Sequence, residues 1–276
     1  MVTDRSDDLF HIFKEQPLQS SSLIVCWKSS DLGRIASQVV NYMIESLGGE
    51  EVAELKPAGF FTFEGAIFRD DIIQVPDSRF WACPEAGVLL FNSEEPTLNN
   101  YKFLNSILDY GERHCGIKEL YTINAAPSLV SHNTPREILA VFNQVELLER
   151  FEEEELEPMT WEGPPATSSY LLWVAARRGL SGISLWPEIP FYLAAHEDPL
   201  AVKKTLSFLG RRLQLDLDLE ELDEQAKCQQ QQLSQLQEEN EQAGALLQRL
   251  EDGDTLDEEE QMLLNREVYL KLEKES

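Results

Sequence analysis

Leu23-Ile-Val-Cys-Trp27, followed by Lys28-Ser-Ser-Asp-Leu-Gly33 and then by Ile35, Val39, Val40, Tyr42, Met43, Ile44 and Leu47 ahead of Gly48-Gly49, sets the fold class. The first five residues are apolar without alternation and rich in β-branched and aromatic side chains, the pattern of a strand buried on both faces. From Ile35 the apolar positions recur at helical spacing, and the two glycines supply a C-terminal stop. The unit reads strand, loop, helix.

The same alternation recurs downstream. Gly87-Val-Leu-Leu-Phe91 reads as a second doubly buried strand, and Asn100 to Gly111 carries its apolar residues at helical period. Leu120-Tyr-Thr-Ile123 is the next strand. Ser168 to Gly179 reads as a helix capped by Thr167 or Ser168, followed by a strand at Ile183-Ser-Leu-Trp186 and a helix over Pro199 to Leu209. Alternating buried strands and amphipathic helices predict an α/β sheet covered on both faces.

Between these units the pattern changes. From Ala53 to Phe80, aromatic and β-branched residues are interrupted by Gly59, Gly65, Asp70-Asp71 and Pro76, which predicts short antiparallel strands inserted at about 53–82. Thr134 is placed to cap a short segment with Pro135 at its first position, while Val141 to Leu148 also suits a strand. Phe151-Glu-Glu-Glu-Glu155 reads as a solvated face and Gly163-Pro-Pro165 as a turn.

At Leu219 the composition shifts to Gln and Glu, which divides the chain into an α/β domain, 1–218, and a helical C-terminal arm, 219–276. A heptad places Ala226, Leu233, Asn240 and Leu247 at one core position and Leu222, Gln229, Leu236, Ala243 and Leu250 at the other. Glu251-Asp-Gly-Asp254 breaks it. Thr255 to Glu258 has capping-box spacing and opens a second helix with Leu256, Leu263 and Leu270 seven apart, so the arm reads as a helical hairpin or short coiled coil.

The 276 residues carry 23 basic and 50 acidic side chains, a formal net charge of -27, with 42% hydrophobic and 9% aromatic residues. This composition is globular, and such acidity argues against nucleic acid, whose phosphates need clustered Lys and Arg. No apolar run approaches the roughly 20 residues of a membrane span, and Met1 to Asp8 lacks the layout of a secretory signal, so a cytoplasmic protein is expected. Cys26, Cys83, Cys115 and Cys228 show no metal-ligand spacing and read as reduced and mostly buried; no metal and no cofactor is expected.

Two loops are candidate ligand sites. Lys28, Ser29, Ser30 and Gly33 follow a strand and precede a helix N-terminus, where doubly wound folds hold anions, although Asp31 would repel phosphate. His132 lies beside Ser128, Ser131 and Thr134, where a base and a nucleophile could meet, but no Gly-x-Ser-x-Gly elbow accompanies it. Trp186, Phe191 and Tyr192, among two prolines, read either as a packed loop closing the sheet or as an apolar subunit contact.

Taken in order, these segments resemble the PAC2 family, the proteasome assembly chaperone 2 type. The resemblance is carried by Leu23 to Trp27 with Asp31-Leu-Gly33, by Glu51-Val-Ala-Glu-Leu55, Phe60-Phe-Thr-Phe63 and Val88-Leu-Leu-Phe91 with Glu94-Glu-Pro96. Further on it is carried by Ala166 to Leu180, Ile183 to Tyr192, Asp198-Pro199-Leu-Ala201 and Leu222-Asp-Glu-Gln-Ala226. It implies a three-layer α/β fold similar to nucleoside phosphorylases and some hydrolases, oligomeric assembly, and in eukaryotic and archaeal relatives the chaperoning of proteasome subunits. It implies no known active site. Two departures stand out: Lys28-Ser-Ser30 and Gly163 to Ser169 hold places where family members look richer in glycine. Val268-Tyr269-Leu270 has the hydrophobic-Tyr-any form of proteasome-docking relatives, but six residues follow it, so a carboxylate contact is not expected.

The reading that follows is a non-enzymatic, cytoplasmic interaction or assembly protein that forms homo-oligomers, with proteasome-type subunits as the candidate partner. The apolar seam Leu233, Leu236, Leu247 and Leu250 packs on itself or on a partner helix. The alternative is a small-molecule hydrolase or phosphorylase with a pocket between the loops after residues 23–27 and 120–123.

Overall fold

The computed structural model describes residues 9–14, 22–62, 67–69, 72–150, 155–160 and 165–273. The acidic segment to Asp8, the residues 151–154 of the Glu block and the Gly163-Pro164 turn lie outside the described residues. In chain order the strands are β1 Phe10–Ile12, β2 Ser22–Trp27, β3 Glu50–Leu55, β4 Ile67–Arg69, β5 Ile72–Gln74, β6 Ser78–Cys83, β7 Val88–Ser93, β8 Glu119–Ile123, β9 Ala126–Ser128, β10 Ile138–Phe142, β11 Glu157–Pro158 and β12 Ser181–Pro190. The helices are α1 Ile35–Ser46, α2 Asn100–Cys115, α3 Thr167–Arg177, α4 Pro199–Leu213, α5 Glu220–Glu239, α6 Glu241–Glu251 and α7 Glu258–Glu273.

One sheet runs in the order β1-β3-β6-β7-β2-β8-β12-β10-β11, with β9 beside β12. Its centre, β7-β2-β8-β12, is parallel, and antiparallel pairs flank it on both sides. Along β2 the strand period of two splits the apolar run between two layers. Leu23, Val25 and Trp27 face α2 and α3, while Ile24 and Cys26 face α1 and α4. All six residues of β2 are buried, which is why the run shows no alternation. The fold is the expected three-layer α/β sandwich.

Several local expectations change. The segment near 53–82 is not set apart from the sheet: β3 and β6 pair with one another and continue it antiparallel from β7, leaving β4 and β5 as a separate hairpin. The segment after Pro135 forms β10 rather than a capped helix, because Ile138 and Ala140 are buried by pairing with β12. The late strand does not stop at Trp186; it continues through Pro187 and Pro190, where β9 becomes its third partner. At the end of α1 the glycine stop forms as expected: Gly48 takes a φ of 64° and the Gly49 N–H donates to the Ile44 carbonyl.

The arm is three helices rather than a hairpin or a continuous coiled coil. Asn240 ends α5 and caps α6, its side-chain oxygen accepting from Gln242 and Ala243 N–H at 3.1 Å each. Gly244 permits the fold-back, since a Cβ there would lie 2.4 Å from the Gln237 carbonyl oxygen. The capping box of α7 is Asp257 with Glu260, each accepting from the other's backbone N–H at 2.9 Å, rather than Thr255 with Glu258. The buried face of α7 is Leu264, Val268 and Leu272, four apart, and Leu270 is exposed.

Candidate functional site

In an open α/β sheet, ligands are held outside the carboxyl ends of the parallel strands where connections leave in opposite directions. Here β2 feeds toward β3 and β7 on one side, whereas β7 crosses over β2 to reach β8 on the other. The loop after β2 is therefore the place to look, and the chain itself fills it. The Asp31 carboxylate accepts from the Ala36 N–H at 2.8 Å, the Ser37 N–H at 2.9 Å and the Ser37 hydroxyl, occupying the N-terminus of α1 as an anion would. Burial pushes its pKa above the ordinary value, against the pull of those hydrogen bonds.

The other candidate anion ligands are also engaged within the chain. Ser29 Oγ accepts from the Glu95 N–H at 2.8 Å and Ser30 donates to the Glu95 carboxylate at 2.6 Å. Lys28 pairs with Asp77 at 2.5 Å. Gly33 donates to the Ala194 carbonyl at 2.8 Å with φ at 62°, and a Cβ would meet the His196 carbonyl at 3.2 Å. Lys28, Ser29, Ser30 and Gly33, the residues expected to line a ligand site, are thus engaged within the chain, and the loop is an internal clasp joining β2 to the 194–196 turn.

Below it runs a buried hydrogen-bonded chain. Trp27 Nε1 donates to Ser168 Oγ at 3.1 Å, Ser168 donates to Asn124 Oδ1 at 2.9 Å, and Asn124 donates to Ser184 Oγ at 3.1 Å, which also accepts from Thr122. Ser168 is drawn into this network and does not cap α3, whose N-cap is Ala166. The network holds no ionisable group.

His132 is not brought to the Lys28 loop. It is 2% exposed, and both its backbone N–H and its Nδ1 lie on the Tyr192 hydroxyl, at 2.7 and 3.0 Å. The hydroxyl accepts from the N–H, and it donates to or accepts from Nδ1 according to the tautomer of the ring. Burial, with the Arg136 guanidinium nearby, lowers its pKa to about 4. The neighbouring serines have other partners: Ser128 donates to Glu188 and Ser131 accepts from the Asn133 N–H. Among the described hydrogen bonds His132 therefore meets Tyr192 and neither serine.

Arg136 and Asp198 form the feature that the sequence reading missed. Their side chains are 1% and 0% exposed and meet at 2.8 Å. Arg136 also donates to the carbonyls of Ser131, His132 and Thr134, and Asp198 caps α4 by accepting from the Ala201 N–H. Asp198-Pro199, a cap residue before proline, is the signal that marks the helix start.

Tyr192 is 2% exposed and joins Leu193 in one cluster with Leu233, Leu236, Leu247, Leu250, Leu264, Val268 and Leu272. Phe191 is half-buried against the same cluster and Trp186 is half-buried on β12. The seam of the arm is buried within the chain, and Tyr192 is part of the floor on which the arm docks. Among the cysteines, Cys228 is exposed and the other three are buried, with burial pushing Cys83 up to about 11 and Cys115 up to about 12. Among the described residues no cluster of His, Cys, Asp or Glu would hold a metal ion, and no helix is long and apolar enough to cross a membrane.

Comparison with known proteins agrees with this architecture. A protein of unknown function from Mycobacterium tuberculosis has a similar fold with a TM-score of 0.75, at 20% identity over 89% of this chain and 88% of that one. A proteasome-assembly chaperone homologue from the same organism gives 0.69, at 17% identity over 78% and 94%. PbaB of Pyrococcus furiosus, an archaeal proteasome activator, gives 0.66, at 18% identity over 82% and 97%. No curated protein matches the sequence significantly. The family model of the PAC2 family matches residues 29–237, and the chain belongs to that family.

Proposed function

We propose that this chain is a non-enzymatic, assembly-chaperone-like protein of the cytoplasm that self-associates and binds a protein client, with proteasome-type subunits as the first candidate. Residues 1–218 are its α/β domain and 219–276 its helical arm. The observation that carries the reading is the internal occupation of the loop after β2: Asp31, Glu95 and Asp77 take the positions that an anionic substrate would need. Structural relatives described as a proteasome-assembly chaperone homologue and a proteasome activator support a protein client.

The test is co-expression of the full chain with proteasome-type subunits of its source organism, followed by purification and light-scattering sizing. A defined complex with those subunits is the expected result. A melting temperature raised by phosphate, nucleosides or nucleotides, with no retained subunit, would overturn the reading in favour of the hydrolase or phosphorylase, since a ligand of the folded state must stabilise it.

A further inference from the structure

Where helix α5 faces α1 and the 195–199 turn it leaves a groove. Two clefts of about 490 and 570 Å³ share Glu197 and Gln225 in their linings and so meet as one. The wall from α5 runs between Glu221 and Gln232, about 16 Å along the helix, which is the span of about five residues of extended chain. The opposite wall is Gln38, Asn41, Tyr42 and Glu45, at helical spacing on one face of α1. Pro199 and Val202 of α4 complete the lining, with Leu272 and Glu273 of α7 at one end.

Side-chain amides line both walls. Those of Gln38, Asn41 and Gln232 have no partner among the described residues, while Gln225 donates to Glu221 on its own helix at 3.2 Å and Gln229 to the Glu197 carbonyl at 2.6 Å. An amide offers a donor and an acceptor together, which matches the N–H and C=O of an extended peptide backbone. The charge of the lining is one-sided. Glu45, Glu197, Glu221 and Glu273 stand against one guanidinium, that of Arg34, which already lies 3.6 Å from Glu197. Burial holds the pKa of His196 below its ordinary value, so the imidazole adds no positive charge at neutral pH. An anion entering the groove meets net repulsion, and a lysine or arginine side chain meets attraction.

We infer that the groove between α1 and α5 takes an extended peptide segment bearing lysine or arginine, supplied by the protein client. The amides of the two walls pair with its backbone, and the four carboxylates hold its cationic side chains. The groove lies where the α/β domain meets the arm, so a bound segment touches α1, the 195–199 turn and α5 at once. The inference rests on the proposed protein client and names the surface that receives it.

The probe is the pentapeptide Lys-Gly-Lys-Gly-Lys, acetylated and amidated at its ends, compared with spermidine, a trication without a peptide bond. In titration calorimetry on the full-length chain at about 0.15 M salt, the peptide should bind at least about tenfold more tightly than spermidine. Asn41→Ala combined with Gln232→Ala changes one uncharged amide on each wall; it should weaken the peptide about tenfold and leave spermidine unchanged, with circular dichroism confirming intact helices. Glu221→Gln should weaken the peptide, whereas Glu258→Gln, the same loss of charge on α7 outside the groove, should not. Cys228 lines the groove and is the exposed one of the four cysteines, so saturating peptide should slow its alkylation by iodoacetamide. Peptide and spermidine that bind alike, indifferent to the amide variant, overturn the inference in favour of adsorption to an acidic surface, and an absence of peptide binding overturns it outright. Proteasome-type subunits retained in co-expression while the peptide leaves Cys228 unprotected remove the groove as the site and leave the client reading standing. Peptide binding in the groove with no retained subunit supports the inference and overturns only the choice of client.

Discussion

Replacing one partner of the Arg136–Asp198 pair tests how the carboxyl ends of the sheet are held together. Arg136→Met leaves the Asp198 carboxylate buried with the Ala201 N–H as its remaining hydrogen bond and frees the carbonyls of Ser131, His132 and Thr134. Breaking a buried pair by removing one charge costs about 3–5 kcal/mol, because the remaining charge is neither solvated nor paired. For a chain of this size that lowers the melting temperature by about 10 °C. Asp198→Asn keeps a capping oxygen for Ala201 and leaves the guanidinium with its three carbonyls, so it should cost less, about 2–3 kcal/mol. The double variant, Arg136→Met with Asp198→Asn, leaves no buried charge and should be more stable than the sum of the singles by about 1–3 kcal/mol. Scanning calorimetry or chemical denaturation of all four proteins measures this coupling. Strict additivity, or singles that melt with the wild type, would refute the claim that the pair ties the 131–136 loop to α4.

Two further outcomes follow from the same region and from the arm. His132 has its pKa lowered from 6.5 to about 4, so the unfolded chain takes up a proton first as pH falls; the stability it contributes is complete above pH 6.5 and lost toward pH 4, about 3 kcal/mol in all. The stability difference between the wild type and His132→Gln should therefore narrow by that amount between pH 7 and pH 4 in chemical denaturation, and a constant difference would contradict a neutral buried imidazole. Asn240→Leu would strengthen a continuous heptad seam, but here it removes the cap of α6 and its bond to Glu267, so the arm should lose about 1 kcal/mol in thermal melts rather than gain stability.

The strands and helices of the central sheet were legible because each is decided by its own residues. A five-residue apolar run such as Leu23 to Trp27 has only one way to bury both of its faces, and a helical period followed by Gly48-Gly49 carries its own stop. The candidate site was less legible. Lys28, Ser29, Ser30 and Gly33 have the residue types of an anion cradle, and nothing local shows that Asp77 and Glu95, from other strands' loops, will take them. His132 reads as a base until Tyr192, 60 residues away, is placed on it.

By itself the sequence determined the α/β class, the family, the acidity and the helical character of the arm, since these follow from composition, short-range period and the order of segments. Tertiary structure alone decided which polar groups are spent. Burial removes water as a partner, so most buried donors and acceptors find another within the fold. That requirement sends Ser168 to Trp27 and Asn124 instead of to the start of α3, turns Asp31 onto the N-terminus of α1, and joins Arg136 to Asp198. The heptad pattern over residues 222–250 is likewise compatible with one long helix or with two packed together. The close approach of Gly244 to the Gln237 carbonyl and the floor formed by Tyr192 and Leu193 select the folded-back arm.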